Sequence, residues 1–239
     1  MSELRTALAD ALGPLYRIER EVRPVGEYRL FVATESQSGS ELLVKVLPAA
    51  LSLGINDLQF ERAVLLLGEQ LRHPNLVRTR GAGRAGSFVY HTRPFVPGTT
   101  LRAWIGNKGA VPLARTVEIL RGILNGLAHA HAAEIAHGEL KAENVLLADE
   151  GVLVADTGIA AALGKPATAR NDMAAVQSLA REMLTGSKPT IGEEPLEHTR
   201  TLPLWLTDWM RSRWSDAGRA LAGMRSPPPS SSQSSQLFA

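Results

Sequence analysis

Between Tyr16 and Pro94 the apolar positions recur in short runs, and beyond Pro112 they recur at helical spacing. Tyr16–Ile18, Tyr28–Ala33 and Glu41–Leu47 are rich in β-formers and bounded by Gly, Pro or Ser, which predicts three strands. Gln37-Ser38-Gly39-Ser40 predicts a hairpin turn, and Pro48 ends the third strand. Residues 57–72 carry Phe60, Val64, Leu67 and Leu71 at 4-3-4 spacing, the mark of an amphipathic helix. His73-Pro74-Asn75 stops it. Two more strands are expected at Leu76–Arg80 and Ser87–Pro94, with Gly81-Ala82-Gly83-Arg84-Ala85-Gly86 as the turn between them. That turn spells G-x-G-x-x-G. A dinucleotide fingerprint opens a helix and has an acidic residue about 20 positions on. Here a strand follows and residues 101–107 hold no acid, which favours a hairpin.

The second half is helical. Pro112 opens a long helix with Leu113, Val117, Leu120, Leu124, Leu127 and His131 on one face. Short strands are expected at Val145–Leu147 and Val152–Val154. A helix runs from about Asp172 to Leu184 and ends at Thr185-Gly186. Another follows Pro203 and carries Trp205, Trp209 and Met210; a last one starts near Ser215. Residues 1–15 read as a helical lead-in. Residues 226–239 (SPPPSSSQSSQLFA) are low-complexity and predicted to be disordered.

Composition narrows the function classes. Lys plus Arg number 26 against 24 acidic residues, and a net charge of +2 gives no reason to expect nucleic acid or an anionic membrane as partner. The absence of cysteine excludes disulfides and thiolate chemistry. No apolar run approaches the length of a membrane span, and the N-terminus MSELRTALADALG carries charges throughout, unlike a signal peptide. A cytoplasmic protein is the expectation.

Chemistry concentrates in Ala136-His137-Gly138-Glu139-Leu140-Lys141-Ala142-Glu143-Asn144-Val145-Leu146-Leu147, followed by Asp156-Thr157-Gly158. This pair resembles the catalytic loop and metal-binding turn of the protein kinase superfamily, H-R-D-x-K-x-x-x-N and D-F-G. His137, Lys141, Asn144, Asp156 and Gly158 match; Gly138, Glu139 and Thr157 replace the Arg, Asp and Phe. Lys45 sits where the strand lysine of V-A-I-K belongs, and Arg93-Pro94-Phe95-Val96-Pro97-Gly98 is similar to the hinge. The stretch from Asp172 to Glu182-Met183-Leu184-Thr185-Gly186 looks like the large-lobe helix of bacterial Ser/Thr kinases. Arg213 is similar to the arginine near the family's last helices.

The resemblance covers residues 16–224 and implies a two-lobed α+β fold. A five-stranded antiparallel small lobe with one helix would occupy 16–95, and a shortened, mostly helical large lobe 96–225. It also implies roles. Lys45, Gly26, Val96 and Leu146 would surround a nucleotide, Asn144 and Asp156 would hold Mg²⁺, and Glu139 and Lys141 would form a degenerate catalytic loop.

The departures bear on activity, because phosphoryl transfer rests on positioning and charge stabilisation. In the glycine-loop stretch Arg23–Tyr28 only Gly26 remains; Pro24 lacks an N–H, and Glu27 adds negative charge beside a polyanion. Val64 stands where the helix glutamate belongs. Glu61 lies one turn earlier, about 60° round the helix, and either reaches Lys45 after a helix shift or stays exposed. Leu43 replaces the small alanine and is expected to fill part of the adenine space, while Arg93 is the gatekeeper. Glu139 keeps a carboxylate one methylene longer than Asp, and a misplacement of about 1 Å can cost on the order of 100-fold in rate. Asp172 follows Asp156 by only 16 residues, with no A-P-E, so Arg213 loses its usual glutamate partner. Asp156, Asn144 and Lys141 are then read as hydrogen-bonding the loop in place. His137 is read as structural, and His129 and His131 face different ways on their helix. The tryptophans are read as core, with Trp205 and Trp209 alternatively marking a partner surface.

The expectation is a pseudokinase that binds a protein partner as scaffold or allosteric regulator and requires no cofactor. The alternatives are a low-activity Ser/Thr kinase using ATP and Mg²⁺ through Lys45, Glu139, Asn144 and Asp156, or an ATP-binding sensor.

Overall fold

Period-two alternation sorts the small-lobe side chains onto two faces, and the pairing register decides which ones meet. The computed structural model describes residues 3–14, 16–25, 27–188 and 202–224. The expected phosphate contact at Gly26 and the expected tail at 226–239 lie outside the described residues. Strands β1 (Tyr16–Val25), β2 (Tyr28–Glu35), β3 (Glu41–Val46), β4 (Gly81–Ala85) and β5 (Phe88–Pro94) form one antiparallel sheet in the order β1-β2-β3-β5-β4. Phe31, Ala33, Val44, Val46 and Tyr90 share one face, where Leu4 and Leu8 of helix α1 (Glu3–Leu12) cover them. The opposite face carries Leu30, Val32 and Leu43. Lys45 lies across from Leu30 and His91, and Leu43 across from Val32 and Arg93. A one-residue slip would send this whole set to the other face.

After the short α2 (Ala49–Ser52), helix α3 (Asp57–Gln70) is capped by Asn56, whose side chain accepts the Gln59 N–H at 3.0 Å. It buries Phe60, Val64 and Leu67 at the expected spacing.

The fourth strand is not where the apolar pattern put it. Gly81–Ala85 is the strand itself, paired from Gly81↔Thr92 to Ala85↔Phe88, and the turn shrinks to Gly86-Ser87, with Gly86 at φ +58°. The start of the expected strand is instead drawn toward the large lobe, while Thr79 and Arg80 bond to Val64 of α3 and Thr92 of β5. Val77 N–H donates to the Val154 carbonyl and Val154 N–H to the Asn75 carbonyl, both at 2.8 Å. Gly83 is what the strand needs. A Cβ on Gly83 would come within 2.8 Å of the Tyr90 hydroxyl. Arg84 pins the strand to Asp57 at 2.7 Å and to the Ser52 carbonyl at 3.0 Å.

The large lobe begins with β6 (Thr99–Thr100), which joins β7 (Val145–Ala148) and β8 (Gly151–Val154) in a second antiparallel sheet. Its helices are α4 (Leu101–Lys108), α5 (Leu113–Ala132), α6 (Ile159–Ala162), α7 (Ala169–Thr185), α8 (Leu204–Arg211) and α9 (Ala217–Gly223), with a 3₁₀ turn at Ala142–Asn144. Helix α5 runs through the core and buries Val117, Leu120, Leu124 and Leu127. Trp209 is fully enclosed and donates its indole N–H to the Ala220 carbonyl at 2.8 Å. Trp104, Trp205 and Trp214 pack half-buried against the same core. Gly186 ends α7 in the left-handed conformation at φ +79°. The result is a two-lobed α+β fold. Among the described residues no helix is long and apolar enough to cross a membrane.

Candidate functional site

The loop that carries the motif is fixed from beneath by Asp172 in the first turn of α7. Its carboxylate accepts the backbone N–H of His137 at 2.7 Å and of Gly138 at 2.9 Å, and lies 2.8 Å from His131 Nε2. His137 is buried, with Nε2 3.1 Å from the Ala155 carbonyl. Burial pushes its imidazole below the ordinary histidine range. Asn144 donates from Nδ2 to the Glu139 carbonyl at 3.1 Å, and its own carbonyl accepts the Ala155 N–H at 2.8 Å. His137 and Asn144 thus both brace the loop.

Gly138 shows why arginine is missing from this motif. It sits at φ +81°, and a Cβ there would come within 2.8 Å of the methyls of both Ala160 and Ala167. The short segment between Asp156 and Asp172 lies directly on the loop, and only a residue without a side chain leaves room for it.

Between the lobes, Lys45 Nζ donates to Asp156 Oδ2 at 2.6 Å, with both side chains less than a tenth exposed. Arg93 Nε stands 3.7 Å from the other carboxylate oxygen, too far for a hydrogen bond, and both atoms are buried without one. Burial alone would raise the Asp156 carboxyl. Lys45, His91 and Arg93 outweigh it and hold the group far below the usual carboxylate range. His91 is enclosed beside them, neither ring nitrogen has a partner, and burial pushes it down to about 4, so it is neutral at pH 7. Glu61 is exposed and Val64 buried, so Lys45 takes its counter-charge from Asp156 and not from α3.

Tyr28, just after the β1–β2 turn, closes the space in front. Its ring lies 4.4 Å from Lys45 Nζ and 5.6 Å from Lys141 Nζ, one ammonium from each lobe. Burial pushes its phenol up to about 12, with Glu139, Asp156 and Glu27 adding to the shift.

Toward the hinge the cleft stays open. A space of about 710 Å³ is lined by Leu30, Leu43, Phe95, Val96 and Leu146, with Arg93 and Arg102 at its edges. This counts against the expectation that Leu43 fills part of the adenine space and packs the lobes together there. The Leu43 side chain packs within the small lobe against Leu30, Val32, Val22 and Phe95, and leaves the cleft below it empty of protein. Val96 and Leu146 line that space as expected, on its hinge and floor.

Glu139 is tied down. Lys141 donates to it at 3.0 Å, and Lys165 stands 3.6 Å away. Burial opposes its charge, but the two lysines and Lys45 carry its carboxyl below the usual glutamate range, which weakens it as a proton acceptor. Thr157, in place of the motif's Phe, is buried with its hydroxyl unpartnered. Among the described residues no three His, Asp or Glu side chains form a group that could hold a metal.

The fold brings Lys45, Asp156, Asn144, Glu139 and Lys141 to one cleft. Tyr28 and His91 complete it and were not singled out from sequence. The signal for His91 was its place two residues before Arg93 on a strand, hence on the same face.

Residues 30–194 match the family model of the protein kinase domain. The chain is 26% identical over 209 residues to a probable serine/threonine-protein kinase, pknA2, of Bifidobacterium longum, covering 76% of this chain and 28% of that protein. It is 33% identical over 184 residues to a probable serine/threonine-protein kinase, PknB, of Lactococcus lactis, covering 74% of this chain and 29% of the relative. The chain therefore spans under a third of the length of these two relatives. The kinase domain of Mycobacterium tuberculosis PknI superposes with a TM-score of 0.74 at 17% identity, covering 88% of this chain and 95% of that one.

Proposed function

This chain belongs to the protein kinase family, and from that premise we propose that it works as a pseudokinase, a protein-binding scaffold or allosteric regulator. The observation that carries the proposal is the state of Asp156. Its carboxylate is the internal counter-ion of Lys45 and Arg93, two cations against one anion in a buried space. An Mg²⁺ ion at Asp156 would have to share the carboxylate with the Lys45 ammonium on one oxygen and stand close to the Arg93 guanidinium, 3.7 Å from the other. Repulsion between unit charges at 4 Å is about 4 kcal/mol near a protein surface, and a dication doubles it. The residues present do not suit the ion.

Three further features support the same function. Tyr28 occupies the space between the lysines of the two lobes. Glu139 is paired with Lys141 and Lys165. Ala160 and Ala167 lie against Gly138, on the loop where a target hydroxyl would have to approach.

A second reading has one observation in its favour: the open hinge cleft is large enough for a purine, as an ATP sensor would need. Thermal-shift titration with ATP, with and without Mg²⁺, beside an assay of γ-phosphate transfer, separates the two. A ligand that binds the fold raises its melting temperature by mass action. The pseudokinase scaffold predicts no Mg²⁺-dependent shift and no transfer. An Mg²⁺-independent shift without transfer would favour the sensor. Transfer abolished by Lys45→Met and by Asp156→Asn would establish an enzyme.

A further inference from the structure

Helix α7, whose Asp172 holds the loop, presents Arg170, Gln177 and Arg181 on one outer face, at i, i+7 and i+11. The turn between α8 and α9 faces that line with Arg213 and Trp214. Between them lies a cavity of about 540 Å³ with Met173 among its lining residues. Among the described residues no aspartate or glutamate lines it.

The surface elsewhere pairs many of its arginines. Arg17 meets Glu19, Arg29 Glu21, Arg72 Glu69, Arg84 Asp57 and Arg115 Glu118. Arg170, Arg181 and Arg213 surround one cavity, and no acidic side chain among the described residues lies within ion-pair distance of them. Arg213 is the arginine left without its usual glutamate by the short segment. The turn that carries it is held in place: Gln177 donates to the Ser212 carbonyl at 2.7 Å, and Trp214 donates its indole N–H to the Trp209 carbonyl at 3.0 Å. Guanidinium groups offer a planar fork that takes an oxyanion in bidentate fashion. Arg170 and Arg181 lie about 16 Å apart along α7, the span of roughly five extended residues.

We propose that this cavity is a docking site for a protein segment phosphorylated on serine or threonine. A phosphate brings close to two negative charges and three acceptor oxygens and so pairs more strongly with a guanidinium than a carboxylate does, while the arginine at the far end of the line would meet a further acceptor on the same segment. The exposed Ala174 and the half-buried ring of Trp214 would take side chains flanking the phosphorylated residue. The proposal rests on the protein-binding function and names the class of partner.

The test is fluorescence anisotropy with a fluorescein-labelled pool of short peptides, each with a central phosphoserine and randomised flanks, and with the same pool unphosphorylated. The phosphorylated pool is expected to bind at least about tenfold more tightly. Arg170→Ala with Arg213→Ala should abolish that difference while leaving the urea midpoint unchanged, because both side chains are exposed. Trp214 fluorescence should respond to the phosphopeptides in the wild-type protein. Equal binding of the two pools, or phosphopeptide binding untouched by the arginine changes, would overturn the proposal. So would competition by inorganic phosphate at the peptide's own affinity, or tighter binding of a single-stranded oligonucleotide. Those failures leave the silent cleft standing; phosphoryl transfer to a protein target would remove the scaffold function itself.

Discussion

Replacing Asp156 by Asn keeps the shape of the side chain and removes its charge. Lys45 and Arg93 are each about nine-tenths buried beside it. Without the carboxylate, two cations remain in the cleft with no counter-charge. Removing one partner of a buried pair in this way costs about 3–5 kcal/mol. The backbone does not confound the comparison. Asp156 sits at φ +66°, a left-handed conformation that Asn tolerates as well as Asp. For a domain of this size each kcal/mol moves the melting temperature by about 2–4 °C, so a fall on the order of 10 °C is expected. The effect also has a direction in pH. The folded-state pKa is depressed, so the stabilisation is complete above the unfolded value near 4 and is lost as pH falls below it. Urea unfolding followed by tryptophan fluorescence, at pH 7 and again near pH 3.5, should show a wild-type advantage that narrows in acid. A loss below about 1 kcal/mol at pH 7 would refute the reasoning, because a carboxylate standing free for a metal contributes little to folding.

Gly138→Ala should destabilise by about 2–5 kcal/mol, combining about 1–2 for a left-handed non-glycine residue with about 1–3 for overpacking against Ala160 and Ala167; chemical denaturation measures it. Asp172→Ala removes the acceptor of the His137 and Gly138 N–H groups, so hydrogen exchange at those two amides should accelerate markedly while the amides of β2 and β3 keep their protection. Tyr28 should titrate near 12 in difference absorbance and not near 10, and stability should fall as pH rises above 10, where the unfolded phenol ionises first. A Tyr28 that ionises at the ordinary value would show that its phenol is not buried in the cleft beside Glu139 and Asp156.

What the sequence could show depended on how local the cause was. The 4-3-4 spacing of Phe60, Val64, Leu67 and Leu71 located α3, and the longer series from Leu113 located α5, because helical burial repeats within a few residues. Helix α4 went unforeseen: in eight residues it buries only Leu101 and Ile105, and its definition comes from the Thr100 cap, whose side chain accepts the Ala103 N–H at 3.0 Å. Strand β4 was displaced by five residues because glycine carries no apolar signal. The stretch before it pairs at its start with Val154 across the lobes and at its end, through Arg80, with Thr92 of β5. The motifs named Lys45 and Asp156, but not that they would be each other's partner. Their distance depends on how the lobes meet, and Arg93 and His91 join them only through the β3–β5 register. Leu43 was judged by size alone; its packing against Leu30, Val32 and Phe95, which leaves the hinge cleft open, needed the strand neighbours.

Titration calorimetry of ATP into the protein, with and without Mg²⁺, puts the claim about Asp156 to its most direct test. With the carboxylate committed to Lys45 and Arg93, any heat of ATP binding should be the same in the presence and absence of the metal, and Asp156→Asn should not weaken it. Binding that requires Mg²⁺ and disappears in Asp156→Asn would contradict the account.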